Sequence, residues 1–376
     1  MSEPPTVLPL IDLIVRRVPR VPITQLLVGI NVLVFMAMLS AGAGLWHSAN
    51  SVQLAWGANF GPATQDGQWW RLGSALFLHF GAAHLAINMW ALWDAGHLVE
   101  RMYGHARFAG IYFVAGLSGN LLSLVIHGNQ AVSGGASGAI FGVYGALLAF
   151  LWRERASLHP REFRWLFWGA VGFAAAAIAL GLLVPGIDNA AHIGGFLAGS
   201  LAGAALAKPL NEAQRRPGRG RLLAGCTLTL AIIALVTRIP PPAYRWSDEM
   251  RARSEIGRFL RDDVASSRAW RSIMEEGRQR GASFEELAGR IDADVAERYE
   301  QSFEQLSQLH LDPALPSATT VETLRRYAEM RRDASRALAE GLRAEDPQRI
   351  RDALELARRS RQMVRPGPAG PKDNPH

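Results

Sequence analysis

Two polar residues stand at the heads of apolar stretches in a way that could do chemistry. Ser137, in Gly134-Gly135-Ala136-Ser137-Gly138-Ala139, opens one stretch, and His192, in Asn189-Ala190-Ala191-His192-Ile193-Gly194-Gly195, opens another about fifty-five residues later. A hydroxyl beside an imidazole is the elementary pair for acyl transfer, because the imidazole takes the hydroxyl proton as the oxygen attacks a carbonyl. A serine at a helix N-terminus also lies among unpaired backbone N–H groups and the positive end of the helix dipole, which can hold the oxyanion that follows. His84 and Asn88, spaced i and i+4 at the head of a third apolar stretch, share a helical face and can add side-chain donors. Taken singly, each residue has a plainer role. A serine among glycines packs helices, Asn88 joins helices by a hydrogen bond, His192 is a satisfied polar group or a proton relay, and His79 holds a structural hydrogen bond at a span entrance. Their conjunction gives the chemical reading its force.

The elements that would position these residues are membrane helices. The chain has 376 residues, 49% of them apolar, and nearly all the long apolar runs lie before residue 238. We read spans at Ile23–Leu45, Ala83–Tyr103, Phe108–Ile126, Ser137–Trp152, Trp165–Val184 and Asn189–Ala207, with a seventh, shorter run at Leu222–Val236 that extends to residue 239 if Arg238 snorkels. Arg16, Arg17 and Arg20 precede a first run of spanning length with no small-residue cleavage site, so that span is expected to be retained. Alternate connections carry Arg16, Arg17 and Arg20; Arg101 and Arg107; Arg153, Arg155, Arg161 and Arg164; and Lys208, Arg215, Arg216, Arg219 and Arg221, whereas the intervening loops carry only Arg71. That asymmetry predicts a cytoplasmic N-terminus.

The second, fourth and sixth spans then enter from the outer face, and their first turns carry His84, Asn88, Ser137 and His192 at one depth. Polar groups there are costly unless they face one another or a watered cavity. Between Ser137 and Arg153 the fourth span offers only about 24 Å of helix against a hydrocarbon core of about 30 Å, so Ser137 should sit below the surface in a hollow that water enters. Gly138, Gly142 and Gly145 on one span and Gly195, Gly199 and Gly203 on the other have the small-xxx-small spacing of closely approaching helices, which brings the short serine within reach of the imidazole.

These residues resemble the rhomboid intramembrane serine proteases. The resemblance rests on Gly135-Ala136-Ser137-Gly138; on Ala191-His192 with Gly195 and Gly199; on His79, His84 and Asn88; on Gln68-Trp69-Trp70-Arg71; and on Glu100-Arg101 with Gly104, in order over residues 23–207. It implies Ser137 as nucleophile and His192 as its base without an aspartate, an oxyanion hole of His84, Asn88 and the Ser137 N–H, and Phe141 as an aromatic packed on the histidine. Gly135, Gly195 and Gly199 support that arrangement. The loop Trp46–Arg71 resembles the family's first loop, in which Trp56, Trp69 and Trp70 suit an interfacial position. Glu100 and Arg71 read as structural pairing or loop-anchoring residues. The implied substrates are single-span membrane proteins cut in or near the span; no cofactor or metal is expected.

The expected fold is all-α: a polytopic membrane helix bundle with a six-span rhomboid-like core and a seventh span, followed by a soluble helical domain. The segments are an N-terminal cytoplasmic tail (1–22), the core (23–207), a basic cytoplasmic connector (208–221), the seventh span (222–239), the helical domain (240–365) and a disordered tail (366–376). Pro240-Pro241-Pro242 reads as a stiff spacer. Amphipathic helices are expected at Asp248–Arg280, Ser283–Leu309, Thr320–Leu342 and Pro347–Val364, with a capping box at Ser283 and Glu286 and breaks at Asp312-Pro313 and Asp346-Pro347. This domain reads as an accessory module, a site for homo-oligomerisation or a protein partner, more readily than as a device for substrate capture or regulation.

Other classes fit less well. The net charge of +7 sits in inter-span loops and does not call for nucleic acid. Cys226 is the single cysteine, which excludes an intramolecular disulfide framework. A zinc protease lacks support because no HExxH occurs and His79 and His84 are five apart, a poor spacing for one helical face. A channel or transporter would need a polar path across the membrane where these residues cluster at one end. A catalytically inactive rhomboid-like helix-binding protein would be favoured by loss of Ser137 or His192, and both are present. The setting expected is the plasma (inner) membrane of a prokaryote, with the C-terminal domain outside.

Overall fold

The computed structural model describes residues 9–210, 218–279, 281–309 and 311–363. Among them the only β-pairing is an isolated antiparallel bridge between Asn59 and Ser133; every named element is helical. The chain forms two compact units, one ending at Pro242 and the other beginning at Ala243.

The first unit opens with α1 (Leu10–Arg17), a short helix within the segment read from sequence as a tail. Its i, i+4 pair Leu10 and Ile14 is buried, which is why it folds. Helix α2 (Pro22–Ser40) follows and stops short of Leu45, because the chain turns at Gly42 with φ +93°. The free N–H groups that begin α2 are capped from a distance: the buried Glu100 carboxylate accepts from the Ile23 N–H (3.0 Å), the Thr24 N–H (2.8 Å) and the Thr24 hydroxyl (2.7 Å). A carboxylate at a helix N-terminus meets both the unpaired donors and the dipole.

The following loop carries three short helices, α3 (Asn50–Trp56), α4 (Gly61–Gln65) and α5 (Arg71–Ser74), then a 3₁₀ turn at Ala75–Phe77. Arg71 anchors it. Its guanidinium donates to the Leu54 carbonyl (2.8 Å), the Ala58 carbonyl (3.1 Å) and Gln68 Oε1 (2.7 Å), so it ties loop to loop and makes no pair with Glu100. Trp46, Trp69 and Trp70 of this region are exposed.

Six long helices complete the unit: α6 (Ala82–Tyr103), α7 (His105–His127), α8 (Ser137–Glu154), α9 (Pro160–Leu183), α10 (Asn189–Leu206) and α11 (Arg219–Arg238). Four helices, α2, α7, α9 and α11, are each long and apolar enough to cross a membrane, and α6 joins the segment Arg71–Phe77 in a pair bent by 92°. Helices α8 and α10 fall outside that set. They are rich in glycine and alanine and begin with polar residues, and most of α8 is buried among other helices instead of facing outward. Their closest packing is with each other and with α7. A side chain at Gly195 would strike the Gly138 carbonyl, and one at Gly199 the Gly142 backbone, so this approach requires glycine at both positions. Beneath the crossing, Leu92, Val99, Phe108, Ile111, Val143 and Phe150 form the core.

The second unit is a helical bundle of α12 (Trp246–Glu276), α13 (Phe284–Ile291), α14 (Glu297–Ser307), α15 (Ala318–Arg343) and α16 (Pro347–Met363). A π-helical turn at Asp292–Ala296 links α13 to α14, so the run expected from Ser283 is continuous but locally widened. Ser283 Oγ accepts the Glu286 N–H at 3.2 Å. Leu287, Ile291, Val295, Tyr299 and Leu306, spaced four, four, four and seven apart, are buried together with Phe259, Trp270 and Leu338. The tail expected from residue 366, and Arg215 and Arg216 of the basic connector, lie outside the described residues.

Candidate active site

Ser137 is delivered to its position by a strained entry into α8. Gly135 holds φ +143°, which a side-chain-bearing residue rarely adopts, and its N–H donates to the Ala75 carbonyl at 2.8 Å. A Cβ there would lie 3.0 Å from His84 Cε1, 3.1 Å from His84 Nε2 and 3.6 Å from Ser137 Oγ. The glycine therefore leaves open the space in which the hydroxyl and the His84 ring face one another.

Across the glycine crossing, α10 brings His192 to the serine. Its Nε2 lies 2.9 Å from Ser137 Oγ, and the ring is buried. Phe141, one turn along α8 from Ser137, stacks on that ring with centroids 4.3 Å apart and planes 12° from parallel. The stack fixes the plane of the imidazole, and with the ring proton on Nδ1 the Nε2 lone pair is free to take the serine proton. Among the described residues Nδ1 has no hydrogen-bond partner, so no carboxylate backs the ring.

The remaining donors come from α6. His84 Nδ1 accepts the Phe80 N–H at 3.4 Å, which leaves Nε2 to carry the ring proton and donate. Asn88 is buried, and its Nδ2 has no partner. A buried amide with unmet donors is the exception in folded proteins and fits a site where an anionic oxygen arrives only during reaction.

His79 behaves differently from the sequence expectation. Helical spacing would place His79 and His84 on one helix, but His79 lies in the bend between the turn at Ala75–Phe77 and α6. The bend brings the two rings to 5.0 Å, edge to face. The hydrogen bond at this position is made by the His79 carbonyl, which accepts Gln53 Nε2 at 3.0 Å. Among the described residues no three His, Cys, Asp or Glu side chains are gathered as metal ligands.

One participant escapes the sequence reading. Asp188 caps α10 by accepting the Ala191 N–H on Oδ1 (2.9 Å), and its Oδ2 accepts the hydroxyls of Ser123 on α7 and Ser133 in the segment before Gly135, each at 2.6 Å. His127 Nε2 lies 3.4 Å from Oδ1. One carboxylate thus joins the end of α7, the approach to Ser137 and the start of the helix bearing His192. An acid just before Asn189 could be read as an N-cap; its two serine partners, distant in sequence, leave no local signal.

Residues 66–209 match the family model described as Rhomboid domain. The chain is similar to the rhomboid protease GluP of Bacillus subtilis, 36% identical over 233 residues that make up 62% of this chain and 44% of that protein. It is also similar to RHOMBOID-like protein 4 of Arabidopsis thaliana, 32% identical over 51% of this chain and 50% of that one. The rhomboid protease AarA of Providencia stuartii is 29% identical over 48% of this chain and 71% of its own length. The chain spans about half the length of the first two relatives.

The Asp188 clamp generates a stability prediction. Asp188→Ala removes a helix cap and strands two buried hydroxyls, and should destabilise the membrane unit by about 2–4 kcal/mol, counting about 1 for the cap and about 1 or more for each stranded group. Asp188→Asn, which keeps an acceptor for the Ala191 N–H, should lose less. Thermal unfolding in detergent reads both, and an Asp188→Ala protein as stable as its parent would refute the clamp.

Proposed function

The chain belongs to the rhomboid family, and on that premise we propose that this integral membrane protein is an intramembrane serine endopeptidase acting through Ser137 and His192. The observation that carries the reading is the 2.9 Å contact between Ser137 Oγ and His192 Nε2, with Phe141 stacked beneath the imidazole. Ser137 Oγ attacks the scissile carbonyl as His192 Nε2 takes its proton. The carbonyl oxygen becomes an oxyanion held by the Ser137 N–H at the head of α8, by His84 Nε2–H and by Asn88 Nδ2. The tetrahedral species collapses as His192 returns the proton to the leaving amine, which leaves an acyl-enzyme. Water, deprotonated by His192, then hydrolyses the ester and restores the pair.

The substrates that fit are single-span membrane proteins, cut in or near the span where the backbone can leave helical geometry and enter the site. The bilayer is the working environment, and the plasma membrane of a prokaryote is the setting we assign. An inactive helix-binding role is the alternative, and it has no structural motive while nucleophile and base are in contact. The second unit contributes no group to this chemistry and reads as an accessory module that engages a second copy or a protein partner.

Orientation follows from the basic connections, which are retained on the cytoplasmic side. Helix α11 supports a crossing in the opposite sense, because Asn129 Nδ2, just beyond the end of α7, donates to the Pro241 carbonyl at 3.3 Å. The chain therefore leaves α11 at the end of the bundle where α7 finishes and α8 begins, and the region after Pro242 is assigned to the outer face. Protease added to intact spheroplasts should digest that region, while protease confined to the cytoplasmic face should not. Digestion from the cytoplasmic face alone would show that α11 does not span.

Mutation of the pair tests the chemistry. In liposomes containing a single-span reporter, Ser137→Ala and His192→Ala should each abolish cleavage, and the double variant should be little worse than either, because nucleophile and base act as one unit. His84→Ala and Asn88→Ala should slow turnover by roughly 10–1000-fold each, since one oxyanion donor is lost while the backbone N–H remains. Substantial cleavage by folded Ser137→Ala protein would remove the serine mechanism.

A further inference from the structure

The second membrane helix carries a carboxyl group that the chemistry above does not use. Asp94 lies near the middle of α6 and is exposed on its outer side, between the exposed indoles of Trp90 and Trp93 and the half-buried ring of His97. An ionisable side chain at membrane depth ordinarily faces the bundle interior or a partner, because hydrocarbon solvates it poorly. On the neighbouring helix α8, the Tyr144 hydroxyl lies beside Asp94. Among the described residues no Lys, Arg or His forms an ion pair with it. His97 Nδ1 lies 2.6 Å from the Trp93 carbonyl, and Arg101 donates to the His97 carbonyl (3.0 Å).

The position of this notch is defined by the site. Asp94 is six residues beyond Asn88 on α6, or about 9 Å along the helix, and Tyr144 is seven beyond Ser137 on α8, or about 10 Å. Asp94 and Tyr144 therefore lie at one level, about 10 Å deeper than the reacting carbonyl. The notch lies at the seam between α6 and α9: Phe173 of α9 stacks on Tyr144 (4.4 Å, 17°) and lies 6.1 Å from Trp90. Aromatic rings thus frame a polar group that opens toward the lipid.

We propose that Asp94, with the Tyr144 hydroxyl, is a specificity-determining site that accepts a basic side chain on a membrane helix docked along α6 and α9, about 10 Å deeper than its scissile bond. The proposal rests on the protease reading for the meaning of that distance. A lysine within a span is costly in lipid and gains most from a carboxylate partner at the same depth, so recognition comes with a built-in discrimination against wholly apolar segments. About 10 Å corresponds to about three residues of extended chain or about seven of helix, which sets where the basic residue should lie.

The test uses the full chain in liposomes and two reporters that differ at one span position, Lys or Leu, with that position moved from about two to about eight residues deeper than the cleavage site. Binding is read by energy transfer to the Ser137→Ala protein, so that no turnover is needed. At the matching position the Lys reporter should bind about tenfold tighter than the Leu reporter, as expected for a charge-assisted contact. That ratio should fall to about 1 on adding Asp94→Leu, and on adding Asp94→Lys the preference should pass to a Glu reporter. Asp94→Asn, nearly isosteric, gives the same reading if the leucine variant misfolds: it should retain less than half of the preference. Equal binding of Lys and Leu reporters at every position, or a preference that survives Asp94→Leu and Asp94→Asn, would overturn the proposal. Parallel cleavage assays with the unmodified protein separate the two readings. A binding preference without Ser137-dependent cleavage would sink the protease reading and leave the notch, whereas cleavage without preference would sink the notch alone.

Discussion

Hydrocarbon does not solvate polar side chains, and the organisation of the membrane unit follows from that constraint. Ser137, His192, His84 and Asn88 can exist at membrane depth only if they share a site, and the chain meets the requirement by starting α6, α8 and α10 at the same end of the bundle. The cost of isolating any one of them is the force that keeps the set together. Water needed by such a set must reach it from the nearby surface, and α8, only 18 residues long, leaves Ser137 short of that surface.

The same constraint explains why the helices bearing Ser137 and His192 are the least lipid-like of the unit. Helices that face lipid, such as α9 and α11, present long apolar side chains, whereas α8 and α10 present glycine and alanine to one another. Small residues permit backbone contact at Gly138–Gly195 and Gly142–Gly199, and backbone contact sets the 2.9 Å separation of the serine and histidine. Packing and the proposed chemistry are therefore not independent: widening the crossing by one methyl group would lengthen the Ser137–His192 contact on which the proposed acyl transfer depends.

Much of this was legible in the sequence because the relevant signals are periodic or local. Apolar run lengths place the long helices nearly to their ends. The spacing of the glycines announced a close approach of α8 and α10. What escaped reading depended on tertiary closure. The turn at Gly42 shortens α2 inside an unbroken apolar run, and Leu10 and Ile14 make a helix of a segment too short to stand out. Glu100 caps α2 from more than seventy residues away, and the Asp188 carboxylate gathers hydroxyls from two other segments. The bend before α6 moves His79 toward His84 in a way that helical spacing alone argued against. The Glu100 and Asp188 contacts join residues more than fifty positions apart, for which neighbouring sequence carries no trace.

His192 is proposed to make a nucleophile of Ser137 at a site gathered by three helix ends. This role is tested most directly by treating the protein in liposomes with a fluorophosphonate, which phosphonylates an activated serine, and locating the adduct by peptide mass spectrometry. A single adduct on Ser137 is expected, and it should be lost in a folded His192→Ala variant. An unmodified Ser137, or an adduct that forms equally well without His192, would contradict it.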